Sequence, residues 1–192
     1  MVNKISENVA DYFLQNNIIH DNETEVYIYG LELIISSFLG ISIILFIGII
    51  LRKCIDSIIF LFCFITLRQY SGGYHAGSYF RCNLYFITTF LITEAAVIFI
   101  HASYKEFLSI GLLCTSLVIL LKFAPVDNKN KRLNNLQKYK NKKIALIIYV
   151  VLLAGAILLK ITVDNYYYNI SVTVFSVTAL MIIQILKGEK NQ

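Results

Sequence analysis

Residues 33–51, LIISSFLGISIILFIGIIL, are nineteen consecutive positions without a charge. As one helix, about 20 apolar residues cross the ~30 Å hydrocarbon core of a bilayer. Nothing else in the chain restricts its fold as strongly, and the run has company. Residues 165–186 are uncharged over 22 positions, and 83–100 hold one charge, Glu94. Residues 107–121 and 144–159 are slightly shorter uncharged runs. Only 15% of the chain is charged, against about a quarter in soluble domains. The expected fold is therefore all-α: a polytopic integral membrane helical bundle, not a soluble one.

The N-terminal region adds a different element. Ile5, Val9, Tyr12 and Phe13 fall on one side of a helix over 3–17, with Glu7, Asp11 and Gln15 facing away. Such an amphipathic helix lies on a membrane surface or docks on the protein. Glu7, Asp11, Asp21, Glu23 and Glu25 are the wrong pattern for a cleaved signal peptide. Asp21 or Asn22 is expected to cap the next helix. Residues 55–67 form a short apolar stretch containing Asp56, which suits a re-entrant or tilted segment as well as a crossing. Four to six spans remain open. The chain is expected to form a single membrane-embedded domain over 1–192, with an amphipathic region at 1–30 and the bundle over 31–192. Cys54, Cys63 and Cys114 read as small buried hydrophobes.

Residues 122–143, KFAPVDNKNKRLNNLQKYKNKK, carry eight basic residues and one acid. Pro125, the only proline, ends the helix before them. A basic loop this short between spans is expected to face the cytoplasm. Topology accounts for its charge, and no nucleic-acid partner is expected. A short polar connection is expected around Lys105 and Glu106, and Tyr166, Tyr167 and Tyr168 are expected in an interfacial aromatic belt. With six spans, Arg52 and Lys53 face outward, against the charge rule.

On this topology RQYSGGYHAGSYFRC, residues 68–82, sits at the cytoplasmic face. Gly72 and Gly73 break any helix, and Ser78 is placed to cap a new one with Cys82 in its first turns. Free backbone N–H groups and the positive helix end favour a thiolate there, and Arg81 and Arg68 add positive charge. His75 precedes Cys82 by seven residues, about 10 Å along a continuous helix. A Cys–His pair therefore requires residues 70–77 to fold back, which the glycines permit but do not demand. Ser71, Ser78 and Asn83 are candidates for orienting His75 or stabilising an oxyanion.

The stretch resembles the signature of the accessory gene regulator B (AgrB) family of membrane cysteine endopeptidases. Arg68, Gly73, His75 and Cys82 match the family's Arg…Gly-x-His-x6-Cys pattern. FAPVDNKNKR resembles its Ala-Pro followed by a lysine-rich loop, while Gln69 and Tyr70 depart from relatives with further basic residues or His. The resemblance implies His75 and Cys82 as catalytic residues, with Arg68 binding a carboxylate or supporting the site. It implies a short pro-peptide substrate, AgrD, cut through an acyl-enzyme thioester and closed to a cyclic thiolactone or lactone for quorum sensing. It also implies location in the cell membrane with a possible homodimer, and the basic loop as a lure for the precursor's acidic tail. No cofactor or metal is expected.

Glu94 lies inside an apolar run, where a charge is costly and faces a partner or cavity; Glu32 lies near the start of another. They leave room for rivals. Glu94, Asp56 and Lys160 could line the pathway of a small channel or transporter, or Cys82 could serve a membrane acyltransferase.

Overall fold

The computed structural model describes residues 2–73, 78–126, 133–162 and 166–189. They form seven α-helices: α1 (Val2–Gln15), α2 (Thr24–Ile50), α3 (Cys54–Ser71), α4 (Tyr79–Phe99), α5 (Ala102–Phe123), α6 (Asn135–Thr162) and α7 (Tyr167–Glu189). Six of them, α2 to α7, are long and apolar enough to cross a bilayer. The chain is a multi-pass helical membrane bundle. The segment over 55–67 is part of an 18-residue helix, α3, which resolves the short apolar run into a helix of spanning length.

Local chemistry sets the helix ends. α1 and α2 both close in Schellman motifs. In the first, Asn17 N donates to Leu14 O and Ile18 N to Phe13 O; in the second, Arg52 N donates to Ile49 O and Lys53 N to Gly48 O. Asn17 and Arg52 accordingly hold φ 55. The expected caps Asp21 and Asn22 are not used: they lie in a short 3-10 turn, Asp21–Glu23, where the His20 amide donates to Glu23 Oε2 at 3.3 Å. α6 starts at a reciprocal box, with Gln137 N donating to Asn134 Oδ1 at 2.8 Å and Asn134 N to Gln137 Oε1 at 3.1 Å.

Two expectations about loops are corrected here. α6 is 28 residues long, about 42 Å at 1.5 Å per residue, so its first turns project beyond a ~30 Å core. Lys138, Lys140, Lys142 and Lys143 ride on those turns rather than in a loop. Lys142 Nζ donates to Leu121 O at 2.7 Å and so closes the C-terminal end of α5. Lys105 and Glu106 also lie in a helix, because the α4–α5 break falls at Ile100–His101.

Antiparallel order collects the connections at two ends of the bundle. One end holds α1, Gly72 and Gly73 after α3, the start of α4 at Ser78, Ala124–Val126 after α5, and the start of α6. The other holds the α2–α3 and α4–α5 turns, the end of α6 and the start of α7. Three lysines at this second end have local partners: Lys53 pairs with Asp56 at 3.5 Å, Lys105 Nζ donates to Val97 O at 2.8 Å, and Lys160 pairs with Glu106. Tyr168 does not face outward as a belt residue would. It is 3% exposed and lies under the Lys105 ammonium.

α7 and α3 form the centre. Of their spanning windows 56% and 44% are buried, against 22% for each of the others. Between lipid-immersed helices, packing depends on close approach and polar contacts rather than on water exclusion. The Ser/Thr-rich sequence of α7 suits that position. Ser171 hydrogen-bonds Ser109 of α5, and Thr178 Oγ1 donates to Ser116 Oγ at 3.3 Å. α3 and α4 meet through Phe60, Phe64, Phe86 and Phe90, with Phe64 and Phe86 ring centroids 4.9 Å apart. The outward faces carry large apolar side chains such as Phe38, Phe46 and Ile157, as lipid contact requires. Cys63 is buried as expected, but Cys54 and Cys114 are exposed on the bundle surface.

α2 presents Ser36, Gly40, Ile44 and Gly48 every fourth residue to its neighbours. A Cβ at Gly48 would lie 2.9 Å from Ser57 Cβ, whereas at Gly111 or Gly155 it meets nothing within 4 Å. Gly48→Val is therefore expected to destabilise the bundle by about 1–3 kcal/mol through overpacking. Gly155→Ala should be neutral or slightly stabilising. Circular-dichroism melting in detergent would separate the two.

α1 packs on α2 through Ser6 and Ala10, both fully buried, and Asn3 Nδ2 donates to Glu32 Oε1 at 3.0 Å. Its apolar stripe is only partly covered: Val9 and Phe13 are half-buried while Ile5 and Tyr12 stay exposed, as in a helix lying along a membrane surface.

Candidate active site

α3 runs through Phe60, Phe64 and Arg68 on one face, at i, i+4 and i+8. The Arg68 guanidinium lies 5.3 Å from the Phe64 ring centroid, so the aromatic cluster supports its stem. α3 then stops. Gly72 has φ 76 and ψ −165, a region open in practice to glycine alone. Gly73 follows with φ 152.

The break is held from the side. Val126 N donates to Ser71 O at 3.0 Å, and Gly72 and Val126 form a parallel β-bridge. A Cβ at Gly72 would strike the Val126 carbonyl oxygen. Val126 follows the cis peptide Ala124-Pro125. Residues 127–132 lie outside the described residues.

α4 begins on the far side of the break. Ser78 is its N-cap, its Oγ accepting from Arg81 N at 3.3 Å, and Cys82 N donates to Ser78 O at 3.0 Å. Cys82 is thus in the first turn, half-buried and free. It lies within electrostatic range of Arg68. The same guanidinium abuts Gly73, where a Cβ would start 3.9 Å from Cζ and Nη1. Arg68, Gly73 and Cys82 therefore gather around one break in the helices. His75 lies outside the described residues.

The proposed helpers have other engagements. Asn83 Nδ2 donates to Ser36 O at 3.1 Å and to Ser36 Oγ at 3.2 Å, tying α4 to α2. Ser71 is fully buried and its Oγ donates to Gly72 O. Ser78 serves as the cap. Asn83→Ala is expected to weaken the α2–α4 contact by about 1 kcal/mol. A double-mutant cycle with Ser36→Ala should show coupling between the two sites.

Glu94 is elsewhere. It is 2% exposed and faces Asn169 and Asp56, twelve residues along α4 from Cys82, about 18 Å. Lys160 pairs instead with Glu106 on an exposed face, so the three residues of the channel reading do not meet. Sequence reasoning missed two parts of this region, Val126 as the prop of the break and Asn169 as the partner of Glu94. Each is a pairing between segments distant in sequence, and no local signal marks it.

Comparison with known proteins adds the family. A "Putative AgrB-like protein" of Clostridium perfringens strain SM101 is 30% identical over 190 residues, covering 95% of this chain and 86% of its own. "Putative AgrB-like protein 2" of C. perfringens strain 13 is 32% identical over 149 residues, covering 74% and 69%. "Accessory gene regulator protein B" of Staphylococcus aureus strain MW2 is 26% identical over 182 residues, covering 87% and 96%. No solved structure matches. With the family model described as accessory gene regulator B matching residues 6–186, the chain belongs to the AgrB family.

Proposed function

We propose that the chain is a membrane cysteine endopeptidase that removes the C-terminal tail of a short AgrD-like precursor and leads to a cyclic thiolactone signal for quorum sensing. The observation that carries the reading is Arg68 set against Gly73 at the break between α3 and α4, with Cys82 in the first turn beyond it and within electrostatic range, in a chain of the AgrB family.

His75 takes the proton from the Cys82 thiol, and the sulfur adds to the scissile carbonyl carbon. The tetrahedral intermediate collapses, the C–N bond breaks, and the amine leaves with the proton from His75. The N-terminal part of the precursor is now a thioester on Cys82. A cysteine thiol within that segment attacks the thioester, forming the ring and releasing Cys82. Exchange of one thioester for another gains little free energy, while hydrolysis is strongly downhill. The site must hold the second thiol close and exclude water, and a half-buried sulfur among membrane helices suits that need. Arg68 holds a carboxylate of the precursor or balances charge beside the sulfur. The basic segment, rooted at Val126 against Gly72, attracts the acidic tail. In this reading that end of the bundle faces the cytoplasm.

The test is intact-mass analysis of the purified full-length protein, acid-quenched after mixing with a synthetic precursor. A Cys82 adduct with the mass of the N-terminal precursor segment is expected, followed by the cyclic product. A fatty-acyl adduct instead would make the chain an acyltransferase. Mainly linear, hydrolysed peptide would remove the ring-closing step.

A further inference from the structure

The end of the bundle opposite Cys82 holds a second polar cluster. Asp56 of α3 and Glu94 of α4 are 5% and 2% exposed, and Asn169 of α7 is fully buried between them. The Asn169 amide donates to Asp56 Oδ1 at 3.1 Å and reaches Glu94 Oε1 at 3.5 Å. Its own Oδ1 accepts from Thr173 Oγ1 at 3.2 Å. Lys53 supplies one positive charge, 3.5 Å from Asp56 Oδ2. That ammonium balances Asp56. Among the described residues Glu94 has no ion pair of its own, Lys53 reaching it only at longer range, and its Oε2 has no hydrogen-bond partner.

An acid this deep in a membrane bundle requires a compensating positive charge. Arg52 does not provide it: the side chain is exposed, beside Lys53 and Asp56 in the wall of a shallow cleft that also includes Tyr166. Of the cluster, Asp56 alone lines this cleft, at the bundle end. A divalent cage is not available, because no three acid, His or Cys side chains converge among the described residues.

We propose that the carboxylates of Glu94 and Asp56, held in place by the Asn169 amide, bind one small monocation, a proton or an alkali ion, taken up at the end of the bundle away from Cys82. The bound charge joins α3, α4 and α7 at the point where Glu94 would otherwise stay uncompensated. The site stands independently of the peptidase reading, and its test does not use cleavage.

The purified full-length protein is melted by circular dichroism between pH 5.5 and 8.5, in sodium chloride or in N-methylglucamine chloride. Anything bound by the folded chain alone stabilises it by mass action. If the cation is a proton, the folded chain holds one more proton than the unfolded one and stability falls as pH rises. If it is an alkali ion, sodium restores stability at pH 8.5. Either rise is expected to be about 5 °C. Glu94→Gln keeps the shape, removes the charge, and should melt without dependence on either variable. In case that variant fails to fold, the wild-type protein is treated with dicyclohexylcarbodiimide, which couples to protonated buried carboxyls. Labelling of Glu94 should decline with rising pH or with added sodium. A wild-type melting temperature indifferent to pH and sodium overturns the proposal. So does a Glu94→Gln protein that keeps the wild-type dependence, or carbodiimide labelling of Glu94 that neither variable changes.

Discussion

Cys82→Ala is expected to abolish tail release from the precursor, with cleavage falling at least ~1000-fold. Removing the nucleophile of a covalent mechanism typically costs more than that. The substitution is otherwise mild. Cys82 is half-buried in the first turn of α4, where alanine is a good helix former. Ser78 continues to cap the helix through Arg81 N, and Arg68 keeps its contact with the Phe64 ring. Membrane levels and the melting curve should therefore match those of the wild type. Cys63→Ala makes the contrast. That residue is buried inside the α3 core, so loss of its thiol should cost stability and leave the chemistry intact. Precursor cleavage in membranes, read by mass spectrometry for both variants, separates the two roles. Cleavage by the Cys82→Ala protein within tenfold of wild type would end the peptidase reading.

The second large effect is expected at Gly72, which carries no reactive group. Its backbone, φ 76 and ψ −165, costs an L-residue of the order of 1–3 kcal/mol in strain. A Cβ there also collides with the Val126 carbonyl. Gly72→Ala must therefore either open the bridge to Val126 or turn the Gly72–Gly73 backbone away from its present path. Both outcomes disturb the same places, the approach of Arg68 to Gly73 and the root of the basic segment. Cleavage is expected to drop ~10- to 100-fold, since a displacement of about 1 Å in positioning groups costs on that order. Gly111→Ala serves as the control, because a Cβ there meets nothing within 4 Å. An active Gly72→Ala protein with normal kinetics would show that the bridge has no part in the chemistry.

Much of the architecture could be read from local pattern. The uncharged runs became helices because in a bilayer the backbone has no other way to satisfy its polar groups. Ser78 as a cap followed from one side chain and its distance to the next apolar run. The loops were harder. Lys105, Glu106 and the lysines from 138 to 143 read as connections because charge normally marks a loop. Helices longer than the hydrocarbon core carry charge on turns that project into water or headgroups. Tyr168 misled for a related reason: an aromatic near a span end fits an interfacial belt, but a cation from α5 covers its ring.

At the candidate site the motif named Arg68, Gly73 and Cys82, and the fold decided what joins them. That Arg68 rests on Phe64, that Val126 props Gly72, and that Asn83 is committed to Ser36 follow from contacts between α3, α4, α2 and the segment after Pro125. The buried meeting of Asp56, Glu94 and Asn169 is likewise a product of three helices crossing. By itself the sequence determined which segments enter the membrane, where helices break, and which residue types stand at the break, because hydrophobic length, capping and glycine freedom act over a few neighbouring residues. Tertiary structure alone decided which polar groups face one another, because partners up to 113 residues apart meet only when side chains interlock between helices, and no periodicity along the chain encodes that distance.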